Sequence, residues 1–264
     1  MKRNKLCWKI PILLDYVLGG GVKLSRRKTF GEIKAFTLAE VLITLGIIGI
    51  VASMTIPTLM AKNQKSEAYT ALQKAFSVIS SATAQMREDN GGSMADLATD
   101  TLGFADVLKT YLHVIKSCTT AETMKDCYLP STSTITGLSG QTFSGEPNLI
   151  SSAPKLVTSD GFVFIVNSFL PQCDGVLYKK NDNNEFCSQI FVDINGTKKP
   201  NTVSKDIFVF SINKFNTTPY IDTHQKYSTV EESLAHFCNK DVTSSWSGMA
   251  CAYKAIMDGG IKYY

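Results

Sequence analysis

The sequence predicts an α+β protein in which one long N-terminal helix packs on a small antiparallel sheet of a cysteine-rich head. Three observations support this fold class. An uncharged run of 21 residues, residues 41–61, is followed by helical periodicity up to about residue 89. Three segments rich in Val, Ile and Phe lie in the second half of the chain and have the character of strands. Six of the seven cysteines lie beyond residue 90.

The uncharged run is long enough to cross a membrane. As a helix it measures about 32 Å, and the hydrocarbon core of a bilayer is about 30 Å thick. Within a helix over residues 36–90 we therefore predict a transmembrane half at about residues 38–61 and an amphipathic half at about residues 62–89. A secretory signal peptide fits less well, because its apolar core has only about 7–15 residues and ends at a site that this run lacks.

The charge distribution predicts the orientation in the membrane. Residues 1–35 contain nine basic and two acidic residues, a net charge of +7, whereas the rest of the chain has 18 basic and 21 acidic residues, a net charge of −3. A basic segment beside an apolar helix stays in the cytoplasm. We expect a single span in the inner (cytoplasmic) membrane, with the N-terminus inside and the head, residues 91–264, in the periplasm or outside the cell. The basic leader accounts for the overall charge of +4, so nucleic-acid binding is not indicated.

The amphipathic half of the helix has one apolar face. Its members recur at helical spacing: Ala68, Leu72, Ala75, Phe76, Ile79, Ala82 and Met86. The sequence Asn90-Gly91-Gly92 predicts the end of the helix, because glycine accepts the left-handed backbone conformation of a helix C-cap.

The head is predicted to combine short helices with strands. We expect a helix over residues 104–115, an irregular loop over residues 131–155 and a helix that begins at a capping box in residues 228–232. Strands are expected over residues 161–169, 186–194 and 207–212, and a last helix near residues 250–257. Alternation along the strands places four phenylalanines in the core: Phe162, Phe164, Phe208 and Phe210.

The six cysteines outside the leader are predicted to form disulfides, because an even number in an exported domain is typical of a disulfide framework. Several pairings are possible, and we predict the one that joins neighbours in the sequence: Cys118–Cys127, Cys173–Cys187 and Cys238–Cys251. A metal site is a weaker interpretation, since no C-x-x-C spacing and no grouping of two histidines with two cysteines occurs.

The junction between the leader and the helix carries the most specific motif of the chain. A small residue, Ala35, precedes Phe36, Thr37 and Leu38, and a glutamate, Glu40, follows before the apolar helix. Residues 34–65 resemble the N-terminal signal of the type IV pilin and type II secretion pseudopilin superfamily, whose helix also has a proline where this chain has Pro57. The series from Asp193 to Phe210 and the region of Cys251 are similar to pilin-like proteins with cysteine-rich heads.

The resemblance implies a pilin-like fold and a structural role. A prepilin peptidase would cut after Ala35 and remove the leader, residues 1–35, and the new N-terminal residue, Phe36, would be N-methylated. Glu40 would then pair with the N-terminal amine of a neighbouring subunit. The segment from Gly49 to Pro57 would unwind during assembly. The implied partners are the peptidase, an inner-membrane assembly platform, like subunits in a filament and the lipid bilayer.

Glu40 is costly in a membrane. A carboxylate at the centre of a bilayer costs about 2.5–3.5 kcal/mol, less near the interface, and a position in the first turn recovers about 0.3–1 kcal/mol from the helix dipole. Hydration at the membrane edge is the alternative explanation of this residue. Gly46, Gly49 and Ser53 share one helix face, which would let another helix approach closely, although glycine is also common in membrane helices.

The sequence contains no catalytic grouping that we can identify. His113, His224 and His236 are scattered, and no nucleophile elbow, P-loop or H-E-x-x-H motif occurs. We predict that the protein is not an enzyme and has no cofactor. Asp193, Asn195 and Asp206 are a candidate for a calcium site, but the spacing of an EF-hand is not met, and a turn at Asn195-Gly196 is the preferred interpretation.

The predicted function is that of a prepilin-like structural subunit of a type II secretion pseudopilus or a type IV pilus-like filament. The alternative is a membrane-anchored extracytoplasmic binding module that carries a pilin-type signal but does not polymerise.

Overall fold

The computed structural model describes residues 36–120, 127–130, 133–145, 148–175, 185–222, 227 and 229–264. The predicted leader, residues 1–35, lies outside the described residues, as does His224. The described chain divides into two units, residues 36–52 and Ser53–Tyr264.

The first helix, α1, covers Leu38–Asp89 and is the one helix of the described chain that can cross a membrane by length and apolar composition. In the first unit its apolar side chains are exposed, with 60% of Leu45 and 62% of Ile48 accessible. A helix that is apolar on all sides is suited to lipid or to other helices rather than to water. The predicted membrane-spanning helix is therefore present as a candidate.

The C-terminal end of α1 is closed by a Schellman motif. The amide of Gly92 donates to the carbonyl of Arg87 at 2.8 Å, and the amide of Gly91 donates to the carbonyl of Glu88 at 3.2 Å. Gly91 has a φ of 69° and Gly92 a φ of 92°, and residues with a side chain rarely adopt such positive values. The stop signal predicted from Asn90-Gly91-Gly92 is confirmed.

In the second unit, α1 packs on the head through the predicted apolar face. Five of the seven predicted residues are buried and the other two, Ala68 and Phe76, pack at the edge of the same core. Phe76 stacks on Phe210 of the sheet with ring centroids 5.6 Å apart. The change from an exposed helix to a one-sided helix follows the change in the sequence from a wholly apolar to an amphipathic pattern.

The sheet is a six-stranded antiparallel meander in which every strand pairs with its neighbours in the sequence. Its strands are β1 (Val114–Cys118), β2 (Lys155–Thr158), β3 (Val163–Phe169), β4 (Phe186–Asp193), β5 (Ile207–Asn213) and β6 (Thr217–Pro219). The three strands predicted from the sequence are β3, β4 and β5, which form the centre of the sheet.

Both faces of the central strands are covered. On one face, α1 meets Phe210, and α2 (Thr101–Tyr111) places Phe104 against Phe169 with ring centroids 4.4 Å apart. Phe191 packs against Phe143, 5.8 Å away. Phe191 pairs with Val209 and therefore points away from the face that carries Phe210. All four phenylalanines predicted for the core are buried, between 0% and 5% exposed.

Two predictions of secondary structure were wrong. The helix expected over residues 104–115 begins earlier, after the N-cap Asp100, and ends at Tyr111. Ile115 instead belongs to β1, because its segment pairs with β2. The loop expected over residues 131–155 contains a π-helical turn, Asn148–Ser152, and the start of β2.

Two short helices complete the head. Helix α3 covers Val230–Phe237 and begins at Thr229, whose hydroxyl accepts the amide of Glu232 at 3.2 Å. Helix α4 covers Cys251–Asp258 and ends at Gly259, which has a φ of 64°. These two helices match the predicted positions within a few residues.

The six cysteines of the head form three disulfides, Cys118–Cys127, Cys173–Cys187 and Cys238–Cys251. These are the pairs predicted from the order of the cysteines. Each joins residues 9 to 14 positions apart, so each closes a short local loop rather than linking distant parts of the chain. The last one ties the C-cap of α3 to the first residue of α4.

Lys155 is a fully buried lysine in β2. Its ammonium donates to the main-chain carbonyl of Ala153 at 2.7 Å, and none of the ion pairs among the described residues includes it. Burial lowers the pKa of its amine from 10.5 to about 8, because the charged form loses its hydration. The charged amine therefore destabilises the head at neutral pH.

We expect Lys155→Met to raise the free energy of unfolding at pH 7 by about 1–3 kcal/mol, since methionine fills a similar volume without a charge. The wild type binds fewer protons when folded than when unfolded between about pH 8 and 10.5, so its stability rises with pH in that window. The advantage of the variant should shrink there. Unfolding both proteins with denaturant at pH 7 and pH 10 tests this. If the free energies of unfolding of the two proteins differed equally at both pH values, the expectation would be wrong.

Candidate functional site

The N-terminal end of α1 contains a capping box formed by Thr37 and Glu40. The Glu40 carboxylate accepts the Thr37 amide and the Thr37 hydroxyl, each at 2.8 Å, and the Thr37 hydroxyl oxygen accepts the Glu40 amide at 3.2 Å. Reciprocal bonds of this kind satisfy amides that have no partner inside a helix. In a single chain, therefore, the predicted assembly residue Glu40 closes the first turn of its own helix.

Sequence reasoning missed this local role of Glu40, although its signal is present. Thr37 and Glu40 stand three residues apart immediately before an apolar run, which is the pattern of a capping box. The carboxylate is exposed and lies one turn from Phe36, which is 85% exposed. A cation brought to this end by another molecule can reach the carboxylate without unfolding the helix. The predicted cleavage residue, Ala35, lies outside the described residues.

The two glycines of the apolar run face open space. Apart from the adjacent residues and the backbone of the helix itself, a Cβ atom added at Gly46 or Gly49 would meet no atom within 4 Å. Neither glycine is therefore required by packing within the described chain, and each leaves a notch on an exposed helix face. Small residues at such positions let helices approach closely.

Pro57 lies inside α1, which continues through it. A proline has no N–H to donate to the helix and its ring crowds the preceding turn. The backbone hydrogen bonding of α1 is therefore weaker around Pro57 than it would be in a helix without proline. The unwinding between Gly49 and Pro57 that the resemblance implies stays a prediction.

The loop from β4 to β5 is held by two buried carboxylates. Asp193 accepts the amides of Asn195 at 2.9 Å and Gly196 at 2.8 Å, and its second oxygen accepts the hydroxyl of Tyr128. The turn predicted at Asn195-Gly196 is present, with Gly196 at a φ of 70°. Asp193 is thus the residue that organises this turn.

Asp206 organises the other end of the same loop. One oxygen of its carboxylate accepts the amide of Thr202 at 2.7 Å, and the other accepts the amide of Asn201 at 2.7 Å and the side-chain amide of Asn195 at 3.2 Å. The structure therefore brings together the three residues considered for calcium: Asp193, Asn195 and Asp206. Asp206 is 2% exposed, and burial raises the pKa of its carboxyl.

The oxygen atoms of this loop are compatible with a calcium site and with a structural turn. Three buried oxygens, Asn195 Oδ1, Asn201 Oδ1 and Ser204 Oγ, have no hydrogen-bond partner among the described residues, and oxygen atoms of this kind are ligands that Ca²⁺ accepts. However, all four oxygens of the two carboxylates already accept hydrogen bonds from the loop and from Tyr128. The bonds observed explain these residues as a structural turn, and the calcium site stays a prediction.

The stability of the head should fall with rising pH because of Asp193. Burial, with a smaller contribution from the charge of Asp206, raises the pKa of Asp193 from 3.8 to about 7. The folded state therefore binds more protons than the unfolded state, and stability is lost between about pH 4 and pH 7. We expect Asp193→Asn, which keeps the acceptor for the two amides, to lose less stability than the wild type between pH 5 and pH 8. The measurement is the melting temperature of both proteins at several pH values. If the melting temperature fell equally for the two proteins between pH 5 and pH 8, this expectation would be wrong.

A groove of about 750 Å³ opens between α1 and this loop. Its walls include Lys65 and Ala68 of α1, Lys199 and Lys205 of the loop, and Tyr264. The Lys65 ammonium donates to the main-chain oxygen of Tyr264 and lies 4.4 Å from the centre of its ring. Lys205 lies 5.2 Å from the same ring. Sequence reasoning did not identify this groove, because its walls come from three distant parts of the chain.

Within the described chain, no three His, Cys, Asp or Glu side chains are grouped so that they could hold a metal ion. His236 lies between aromatic neighbours, with Tyr227 stacked at 5.0 Å and Phe237 edge-on at 4.8 Å. These contacts place His236 in the packing of α3. That the protein is not an enzyme stays a prediction.

Comparison with known proteins does not assign the chain to a family. No family model, no curated protein and no solved structure matches this sequence.

Proposed function

We propose that this chain is a prepilin-like structural subunit. In this proposal a prepilin peptidase cuts after Ala35, Phe36 becomes the N-methylated first residue, and the subunits assemble through an inner-membrane platform into a type II secretion pseudopilus or a type IV pilus-like filament. Before assembly the subunit lies in the inner membrane with its leader in the cytoplasm and its head in the periplasm or outside the cell.

The observation that carries the proposal is the combination of one acid with a wholly apolar helix at the start of α1. Glu40 is the one charged residue in positions 36–61, and the apolar side chains that follow it are exposed on all sides. Such a helix needs an apolar environment, which the bilayer offers before assembly and a bundle of identical helices offers afterwards.

Glu40 then has a specific use in the bundle. The carboxylate costs free energy in an apolar environment unless a cation offsets its charge. Cleavage after Ala35 would create a new amine at Phe36. In a staggered bundle the amine of one subunit can approach the carboxylate of the next, which selects for processed chains and for one register between neighbours.

The second candidate is a membrane-anchored binding module that remains a monomer. The capping box favours it, because the bonds between Thr37 and Glu40 give the carboxylate a role within a single chain. In this case the helix would serve only as a membrane anchor, and no second helix would pack against the exposed glycines.

Processing tests the proposal. We expect the chain produced together with a prepilin peptidase to lose the mass of residues 1–35 and to gain the mass of one methyl group. A bulky residue at the cut, Ala35→Leu, should leave the precursor intact, whereas Ala35→Gly should be processed at least as well as the wild type. A full-length wild-type chain in the presence of an active peptidase would contradict the proposal.

A further inference from the structure

The groove beside α1 lies at the depth of the lipid headgroups if α1 crosses the membrane. Ala61 is both the last residue of the uncharged run and a wall of the groove. Lys65 follows four residues later, about 6 Å further along the helix axis. The headgroup layer on each side of a bilayer is about 5–8 Å thick, so Lys65 falls within it.

The groove carries an excess of positive charge. Lys65, Lys199 and Lys205 line it together with two acids, Glu67 and Asp206. Asp206 directs both carboxylate oxygens to N–H groups of its own loop, and the three lysines still outnumber the two acids. Lys62 and Lys198, which are exposed next to lining residues in the sequence, have the same sign of charge.

Two of the three lining lysines lie close to one aromatic ring. The ammonium groups of Lys65 and Lys205 lie 4.4 Å and 5.2 Å from the centre of the Tyr264 ring. Two cations gathered on one ring repel each other, and an anion bound beside them would offset this repulsion. Lysine in such a position acts as a point charge that can bind a phosphate.

Most of the uncharged lining is apolar, and Gln64 and Asn195 are its polar members. The apolar residues are Ala61, Ala68, Ala71, Ile194 and Pro200. A free phosphate ion would gain nothing from these surfaces, whereas the glycerol and the first methylenes of a lipid would remove them from water. Basic pockets beside membrane helices bind anionic headgroups by this combination of charge and apolar contact.

We propose that this groove binds the phosphate headgroup of one anionic phospholipid in the membrane leaflet on the side of the head. The lipid phosphate lies against Lys65, Lys199 and Lys205, and the glycerol lies against the apolar wall formed with α1. Such a lipid fixes the depth of the head on the membrane. The inference depends on α1 crossing the membrane and does not depend on filament assembly.

Native mass spectrometry of the full chain in a non-ionic detergent tests this proposal. Phosphatidylglycerol, phosphatidylcholine and inorganic phosphate are added in separate titrations. We expect one molecule of phosphatidylglycerol to bind in preference to phosphatidylcholine, and inorganic phosphate not to compete at equal concentration. The preference should weaken as salt rises, because surface charges are screened.

The variant Lys199→Gln/Lys205→Gln should bind phosphatidylglycerol about 25-fold more weakly, because each lysine contributes about fivefold. It leaves the contact between Lys65 and Tyr264 in place, and unchanged melting would show that the head is folded. The control Lys109→Gln/Lys240→Gln removes two exposed lysines that do not line the groove, and it should bind as the wild type does.

Three outcomes would overturn the proposal. The first is equal binding of the two lipids by the wild type. The second is an equal loss of binding in the groove variant and the control, which would indicate general charge attraction. The third is a change in self-association of the groove variant without any lipid preference in the wild type, which would assign the groove to a second copy of the chain.

Discussion

Glu40→Ala is expected to abolish filament assembly while the chain still inserts into the membrane and the head still folds. Removing one partner of a desolvated ion pair leaves the other charge uncompensated, at a cost of about 3–5 kcal/mol. This corresponds to a reduction of about a hundredfold or more in the association constant of each contact. The measurement is the amount of filament sheared from cells, compared with the amount of subunit in the membrane.

Two further variants separate pairing between subunits from capping within one chain. Glu40→Gln keeps an oxygen that can cap the helix but removes the charge, and it should fail to assemble. Thr37→Ala removes the hydroxyl of the capping box, at about 1 kcal/mol of helix stability, but keeps the carboxylate, and it should still assemble. If Thr37→Ala failed as completely as Glu40→Ala, or if Glu40→Gln assembled normally, the local capping role would explain Glu40 and the pairing would be wrong.

Loss of the Cys173–Cys187 disulfide is expected to have the largest effect on the stability of the head. Both cysteines are fully buried, and the bridge joins the turn after β3 to the second residue of β4. Removing a native disulfide from an exported domain costs about 2–5 kcal/mol. For a chain of this size, the melting temperature of Cys173→Ala/Cys187→Ala should fall by about 5–15 °C.

Two controls accompany this measurement. Cys7→Ala changes a cysteine of the predicted leader and should not alter the melting temperature. A reductant should lower the melting temperature of the wild type by at least as much as the double substitution does. A double variant that melts with the wild type would show that this bridge does not stabilise the fold.

The long helix and the central strands could be predicted because their signals are local. The apolar face of α1 repeats with the period of a helix, and β3 to β5 are dense in Val, Ile and Phe. The outer strands have no such signal. In β1 the side chain of Ile115 is 70% exposed, and in β2 the buried residue at the start of the strand is Lys155. These segments are strands because they pair with each other and with β3, which hydrophobicity does not reveal.

The contacts of the candidate site are likewise either local in the sequence, and predictable, or between distant residues, and not predictable. The bonds of Glu40 to Thr37 span three residues and could have been derived from the sequence. The contact of Tyr128 with Asp193 joins residues 65 positions apart, and the contact of Lys65 with Tyr264 joins residues 199 positions apart. Neither has a sequence pattern, because the fold alone brings these residues together.

Zero-length cross-linking of purified filaments with a carbodiimide tests the central claim most directly. After processing, trypsin releases residues 36–62 as one peptide, which contains both the amine of Phe36 and the carboxylate of Glu40. A link between subunits therefore yields a covalent dimer of this peptide, whereas a link within one chain yields a monomer. The ion pair of Lys74 and Asp160, 2.9 Å apart in the head, serves as an internal control of the reaction. We expect the dimer; a linked Lys74–Asp160 pair without any dimer would contradict assembly through Phe36 and Glu40.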